Sequence, residues 1–354
     1  MSEFLGIGLV TAVGEVHKRQ RTIINPTFRV SRINALIPTF IQSANELKSS
    51  WMSKLDGSNE LIIKDACEEL GKPTLDVIGR AGFNFDFNAC LGGDVNVNSL
   101  FAAFNVAVKS FGMPDILIRM LFPTLRYIIP GLIQTRLEYE RALVTIKESC
   151  STILENRKRE LVENPNAEGT DLLSDVLRAN LLEDENTRLT DDEVMSQCMT
   201  FLAAGQETTT VALTWALYFI SKNKHVQDSL RGELQHQMPS PSQDPSPEYI
   251  SSTTTYLEAV ANESLRLLPP VPWLIRIAAQ DDELDGYFVP KGTKVYVSPH
   301  LLHRMTEYWG DDALEFNPSR WIKSENSKDD AEQILRPFCA FFPFSTGPRY
   351  VFNA

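Results

Sequence analysis

The sequence lacks the cysteine spacing that staples a small fold or holds a metal ion. Its five cysteines, Cys67, Cys90, Cys150, Cys198 and Cys339, are odd in number, scattered and form no CxxC pair. That pattern argues against a disulfide framework and reads as reduced, packing cysteine in a cytosol-facing compartment. Cationic excess is missing too: 34 Lys and Arg stand against 46 Asp and Glu, a net charge of −12. Phosphate binding rests on clustered cations, so a nucleic-acid partner is not expected. The sequence shows no long apolar run and no internal repeat, and its opening segment, Met1–Val10, has no basic stretch ahead of its apolar residues. A signal peptide or membrane span is therefore not expected from the residues themselves.

What is present is enough for a large core. The chain has 354 residues and 43% hydrophobic content, a length compatible with one domain or two. Apolar residues recur at three- and four-residue spacing over 31–54, 61–83, 136–161 and 190–222, which predicts helices. Strand signals come late. Gly286–Val289 and Thr293–Val297, separated by Pro290, Lys291 and Gly292, read as a hairpin. Segments 163–169, 238–247 and 323–332 read as loops, being rich in proline and serine or charged without periodicity.

The longest predicted helix opens on Thr190 and Glu193, the spacing of a capping box. Its middle holds Gly205, Glu207, Thr208, Thr209 and Thr210. The glycine alone costs about 1 kcal/mol in a helix interior. Two readings fit: a functional interruption, or a glycine at a helix crossing with threonines bonded back to carbonyls. Further along, Glu263 and Arg266 share a helical face on a helix predicted over 256–268, which Pro269 and Pro270 end. His17 and Arg21 also share a face and could bind a carboxylate, or could form a solvated basic patch with Lys18 and Arg19. His300 and His303 have a spacing that could hold metal, but no nearby Cys or carboxylate completes a ligand set. Asn262 opens a glycosylation sequon inside the predicted Glu263 helix, where it reads as coincidence.

Phe344, Gly347 and Arg349 stand at the spacing of Phe-x-x-Gly-x-Arg-x-Cys-x-Gly, and so the end of the chain resembles the haem-binding loop of the cytochrome P450 family. Val351 occupies the place of the cysteine whose thiolate binds haem iron. Ala204–Thr208 resembles the family's Ala/Gly-Gly-x-Asp/Glu-Thr motif, where the helix is distorted beside haem; Glu263 and Arg266 resemble its Glu-x-x-Arg, and Arg320 its downstream Pro-x-Arg arginine. These motifs run in the family's order along nearly the whole chain.

The resemblance implies a mainly α fold with a minor β region, a single domain over 1–354, of the eukaryotic microsomal type, fungal origin being one fit. It implies haem b as cofactor, NADPH-cytochrome P450 reductase as electron donor, and insertion of one oxygen atom from O₂ into an apolar small molecule. Glu207 and Thr208 would handle protons. His17, Arg21, Arg276 and Arg349 would bind the haem propionates, while Phe344 and Gly347 would shape the loop. Glu263, Arg266 and Arg320 would form a buried structural network. Family members of this type sit on the cytosolic face of the endoplasmic reticulum. Against that pattern the N-terminal anchor, the early helices and the helix after the haem loop are expected to be missing, a truncation at both ends. With Val351 in place, the expectation for the chain as given is little or no activity. The alternative is a catalytically dead remnant that binds haem or an apolar ligand weakly.

Overall fold

The computed structural model describes residues 2–55, 60–93, 95–109, 129–163, 171–184, 187–237, 254–322 and 340–351. The loops expected at 238–247 and 323–332 and residues 164–169 lie outside the described residues, as does Cys339. The chain divides into two compact units, Met1–Glu207 and Thr208–Ala354.

The first unit is helical: α1 (Ser2–Leu5), α2 (Gly14–Ile24), α3 (Val30–Ala35), α4 (Ile37–Lys54), α5 (Ala66–Phe83), α6 (Val95–Lys109), α7 (Pro130–Glu163), α8 (Leu172–Leu182) and the first half of α9 (Asp191–Lys222). The single helix expected over 31–54 is divided at Leu36, because Pro38 in the first turn of α4 suits a helix start and not an interior. The helix expected from residue 61 begins at Ala66, where the Asp65 carboxylate accepts the Glu68 N–H at 3.0 Å. It closes on Asn84 in the left-handed region, φ 50°. The fully buried Ile24, Leu75, Phe104, Ile146, Leu173, Val176, Val194 and Leu202 form the core of this unit.

The capping box at the head of α9 is present in both directions. Thr190 Oγ1 accepts the Glu193 N–H at 3.2 Å, and Glu193 Oε2 accepts the Thr190 N–H at 2.9 Å.

The second unit holds the rest of α9, α10 (Lys224–Gln237), α11 (Thr255–Leu267), α12 (Pro299–Leu302), α13 (Thr306–Trp309) and four short strands. The Glu233 carboxylate accepts the Tyr256 and Leu257 N–H groups at 2.7 and 2.9 Å, capping α11 where Thr254 does not.

The expected hairpin is corrected. Strands do occupy Tyr287–Val289 (β3) and Lys294–Val297 (β4), but they do not pair with each other. β3 pairs antiparallel with β2 (Asp282–Leu284), and β4 with β1 (Leu274–Ile277). The deciding feature is Asp285-Gly286, with φ of 51° and 80°, the positive dihedrals that a two-residue hairpin turn demands. Pro290–Thr293 is still a turn, closed by Thr293 N–H on the Pro290 carbonyl at 3.1 Å, but it links two different sheets.

Candidate functional site

Residues 204–208 belong to an unbroken helix, so the distortion implied for this stretch is absent: α9 is helical from Asp191 to Lys222. The reason is a helix crossing. A Cβ on Gly205 would lie 2.7 Å from Ile78 Cδ1 of α5, so the glycine admits a close approach. Thr214 Oγ1 bonds back to the Thr210 carbonyl at 2.8 Å, as threonine inside a helix can. Glu207 is half-buried, and burial pushes its carboxyl pKa above the ordinary value. Thr208 is half-buried on the following position.

Of the N-terminal pair, His17 is buried and Arg21 half-buried, while Lys18 between them is exposed. A fully solvated patch therefore does not describe α2. Arg19 points elsewhere, with Nη2 donating to Glu193 Oε1 at 2.5 Å and Nη1 to the Arg188 carbonyl at 2.5 Å. Beside it runs a buried amide network that the sequence reading missed. Gln20 Nε2 donates to Glu193 Oε1 (3.0 Å) and to the Ile7 carbonyl (2.9 Å). Gln197 Nε2 donates to Gln20 Oε1 (3.1 Å), and Gln197 Oε1 accepts the Leu9 N–H (3.0 Å). Both glutamines are completely buried, and they fix α2 and the opening segment against the first turns of α9. Their signal was available: Glu193 caps with one oxygen and leaves the other to be served.

In the second unit, Glu263, Arg266 and Arg320 meet. Glu263 and Arg266 are fully buried, and Arg320 retains 7% side-chain exposure. Glu263 Oε1 accepts from Arg266 Nη2 (2.8 Å), the Asn317 N–H (2.9 Å) and Arg320 Nε (3.0 Å). Oε2 accepts from Arg266 Nε (2.8 Å) and Trp321 Nε1 (2.9 Å). Burial alone would raise this carboxyl, but the Arg266 guanidinium, the Asn317 amide and the Arg320 charge outweigh it and hold the pKa low. The remaining Arg266 donors reach the carbonyls of His303, Ala313 and Glu315 at 2.7, 2.6 and 3.0 Å. Every N–H of this guanidinium is used. Ser264 is buried with its hydroxyl on the Val260 carbonyl at 2.7 Å, so the hydroxyl that a sequon at Asn262 would present is already committed.

Phe344–Val351 forms a closed loop. The Val351 N–H donates to the Phe344 carbonyl at 2.9 Å, and the Tyr350 N–H to the Gly347 carbonyl at 3.0 Å. Ser345 and Gly347 take left-handed dihedrals, φ 67° and 71°. Arg276, on β1, reaches Ser345 Oγ with Nη2 at 3.4 Å. Arg349 is half-buried, and burial together with the Arg276 charge lowers its pKa. The structure thus brings Arg276 to the loop that carries Phe344, Gly347 and Arg349.

A cytochrome P450 family profile matches residues 1–350. The chain belongs to the cytochrome P450 family. It is 34% identical to cytochrome P450 monooxygenase 205 of Postia placenta, over 99% of this chain and 67% of that protein. It is 35% identical to cytochrome P450 monooxygenase 128 of the same fungus, over 98% and 67%. Against cytochrome P450 monooxygenase claQ of Ampulloclitocybe clavipes it is 32% identical, over 99% and 66%. The chain spans about two thirds of the length of these curated relatives. Haem-thiolate monooxygenation is the activity class of this family, and the mainly helical architecture with small sheets agrees with its fold.

The residues of this P450 fit only part of the family's cofactor. Burial and the neighbouring Arg276 charge make Arg349 costlier to charge, which an anionic group beside it would relieve. The axial position does not fit. Val351 is 53% exposed and has no lone pair to offer a metal. Burial pushes the Cys90 and Cys150 thiols up to about 12 and Cys198 higher still, away from the thiolate that ligates metal. Among the described residues no cluster of three His, Cys, Asp or Glu could hold a metal ion, which leaves His300 and His303 without a ligand set. Also among the described residues, no helix is long and apolar enough to cross a membrane.

Proposed function

We propose that this chain carries the framework of a P450 acting on an apolar organic molecule, but as given does not ligate haem iron through a thiolate and turns over at background. The observation that carries this reading is Val351, an alkyl side chain at the loop position where the family places cysteine. The loop around it keeps its form, since Ser345 and Gly347 hold the left-handed dihedrals and Phe344 closes on Val351.

The remaining roles are those the family resemblance gives these residues. In the second unit Arg276 and Arg349 are the residues suited to a carboxylate such as the propionates of haem b, the cofactor of this family; in the first unit the resemblance gives that role to His17 and Arg21. Glu207 holds its proton to a higher pH than an ordinary carboxyl because it is buried, which suits a group that passes protons inward. Thr208, the next residue, takes the hydroxyl role that the family resemblance gives it. NADPH-cytochrome P450 reductase is the electron donor, and the cytosolic face of the endoplasmic reticulum is the location that goes with it. One domain over 1–354 is the organisation that a single profile across 1–350 favours.

The test is turnover. The purified chain, supplied with haem, reductase, NADPH and an apolar substrate such as a fatty acid, is assayed for hydroxylated product. Background formation fits the proposal; product made in proportion to the chain added overturns it.

A further inference from the structure

His303 is fully buried and belongs to no metal cluster among the described residues, yet it joins two parts of the second unit. Its backbone carbonyl accepts from Arg266 Nη1 at 2.7 Å, which ties it to the Glu263 network. Its ring accepts the Phe342 N–H on Nε2 at 3.0 Å. Phe342 is the foot of the loop, because its carbonyl in turn accepts the Ser345 N–H at 3.1 Å. Aromatic rings hold the imidazole in place: Phe342 lies 5.3 Å away edge-on, Phe341 5.2 Å, and Trp309 6.4 Å.

We propose that His303 is a positioning residue, an acid-sensitive latch that fastens the foot of the Phe344–Val351 loop to the buried Glu263–Arg266–Arg320 network. The chemistry is a matter of donors and acceptors. Phe342 offers only an N–H, so Nε2 must carry a lone pair, and the neutral ring keeps its proton on Nδ1. Protonation turns Nε2 into a second donor facing the first, and the contact becomes repulsive.

The surroundings keep the ring neutral. Burial lowers the His303 pKa to about 4; the charges of Arg266 on α11 and His300 on α12 add to this, and backbone groups of Arg266 and Leu265 oppose it. Glu263 cannot compensate the new charge, since its oxygens are committed to Arg266, Arg320, Asn317 and Trp321. Arg304 pairs with the His300 ring and leaves the latch alone.

The latch itself is read on the haem-free chain, so its failure and the failure of the haem-loop reading appear in different measurements. Hydrogen exchange followed by mass spectrometry, corrected for intrinsic rates, compares the segment 340–351 with the α11 segment 255–267. His303→Phe keeps the ring contacts without the acceptor, His303→Gln supplies an amide oxygen in its place, and His300→Gln serves as the neighbouring control. In His303→Phe the loop amides are expected to exchange about tenfold faster while α11 stays within about twofold. In the unsubstituted chain and in His300→Gln, loop protection falls as pH drops from 7 toward about 4, the pKa of the buried ring. In His303→Gln protection is retained and that acid step is absent. Loop protection in His303→Phe within about twofold of the unsubstituted chain overturns the proposal. So does an acid step that survives in His303→Gln, and this second comparison decides the matter even if His303→Phe does not fold.

Discussion

Replacing Glu263 by Gln tests what holds the second unit together. The substitution changes almost no volume but removes the negative charge between two guanidiniums, one fully buried and the other 7% exposed. The amide keeps one carbonyl oxygen, so part of the donor set is still served. Its NH₂ half then faces either Arg266 Nε and Trp321 Nε1, or Arg266 Nη2, Asn317 and Arg320 Nε, donor against donor. Breaking one side of a buried ion pair costs about 3–5 kcal/mol. That is a large part of the roughly 5–15 kcal/mol by which a domain is stable. Trp309 and Trp321 lie beside the network, their rings 5.8 Å apart, so their fluorescence reports on this unit during urea unfolding. With a slope of about 1–3 kcal/mol/M, the midpoint should fall by about 1–5 M. A fall below about 0.5 M would refute the claim that this charge holds the unit together. The pH dependence carries a sign. Because the folded carboxyl is depressed below its ordinary 4.5, the stabilisation is complete above that value and is lost as pH falls through the folded pKa. The gap between the two proteins therefore closes in acid.

Other outcomes follow from single contacts. Gly205→Ala gains about 1 kcal/mol of helix propensity but overpacks Ile78 at a cost of about 1–3 kcal/mol, for a net loss in thermal or urea stability. Ile78→Val, which removes the Cδ1 atom in the way, should recover most of that loss in the double variant, and purely additive effects would count against the crossing. Gln197→Leu strands the buried Leu9 N–H and Gln20 carbonyl oxygen and should cost about 1–3 kcal/mol per orphaned group, read as lost exchange protection at Leu9. For Glu207 the sign is opposite to that of Glu263: its folded pKa is raised, so stability is complete below 4.5 and lost as pH rises through the folded pKa. Glu207→Gln should then stabilise the chain at pH 8 relative to pH 4, measured as urea midpoints, and a pH-independent difference would contradict the burial argument.

The helices were legible wherever a cap or a period marked them. Thr190 and Glu193 announced α9, and Pro269 with Pro270 announced the end of α11, because these are local rules of backbone satisfaction. Pairing between strands was not legible in the same way. Pro290 and Gly292 gave a true turn, but the stronger hairpin signal was Asp285-Gly286, and it took β3 to another partner. At Gly205 a rule of local propensity was broken for packing, and only the position of Ile78 could show that. Glu263, Arg266 and Arg320 were visible as a pattern; Asn317, Trp321 and the carbonyls of His303 and Ala313 were not, since backbone groups and distant side chains leave no spacing to read. His300 and His303 showed a metal-like spacing with no ligand set to complete it, and the true partner of His303, the Phe342 amide, leaves no spacing to read.

The most direct test of the central claim is the absorption spectrum of the purified 354-residue chain, loaded with haem, reduced and exposed to carbon monoxide. With Val351 in the loop, the Soret band should lack the position that a thiolate ligand gives and should match water or a nitrogen base on iron. A full thiolate-type band would contradict the account and show that a cysteine elsewhere in the chain reaches the metal.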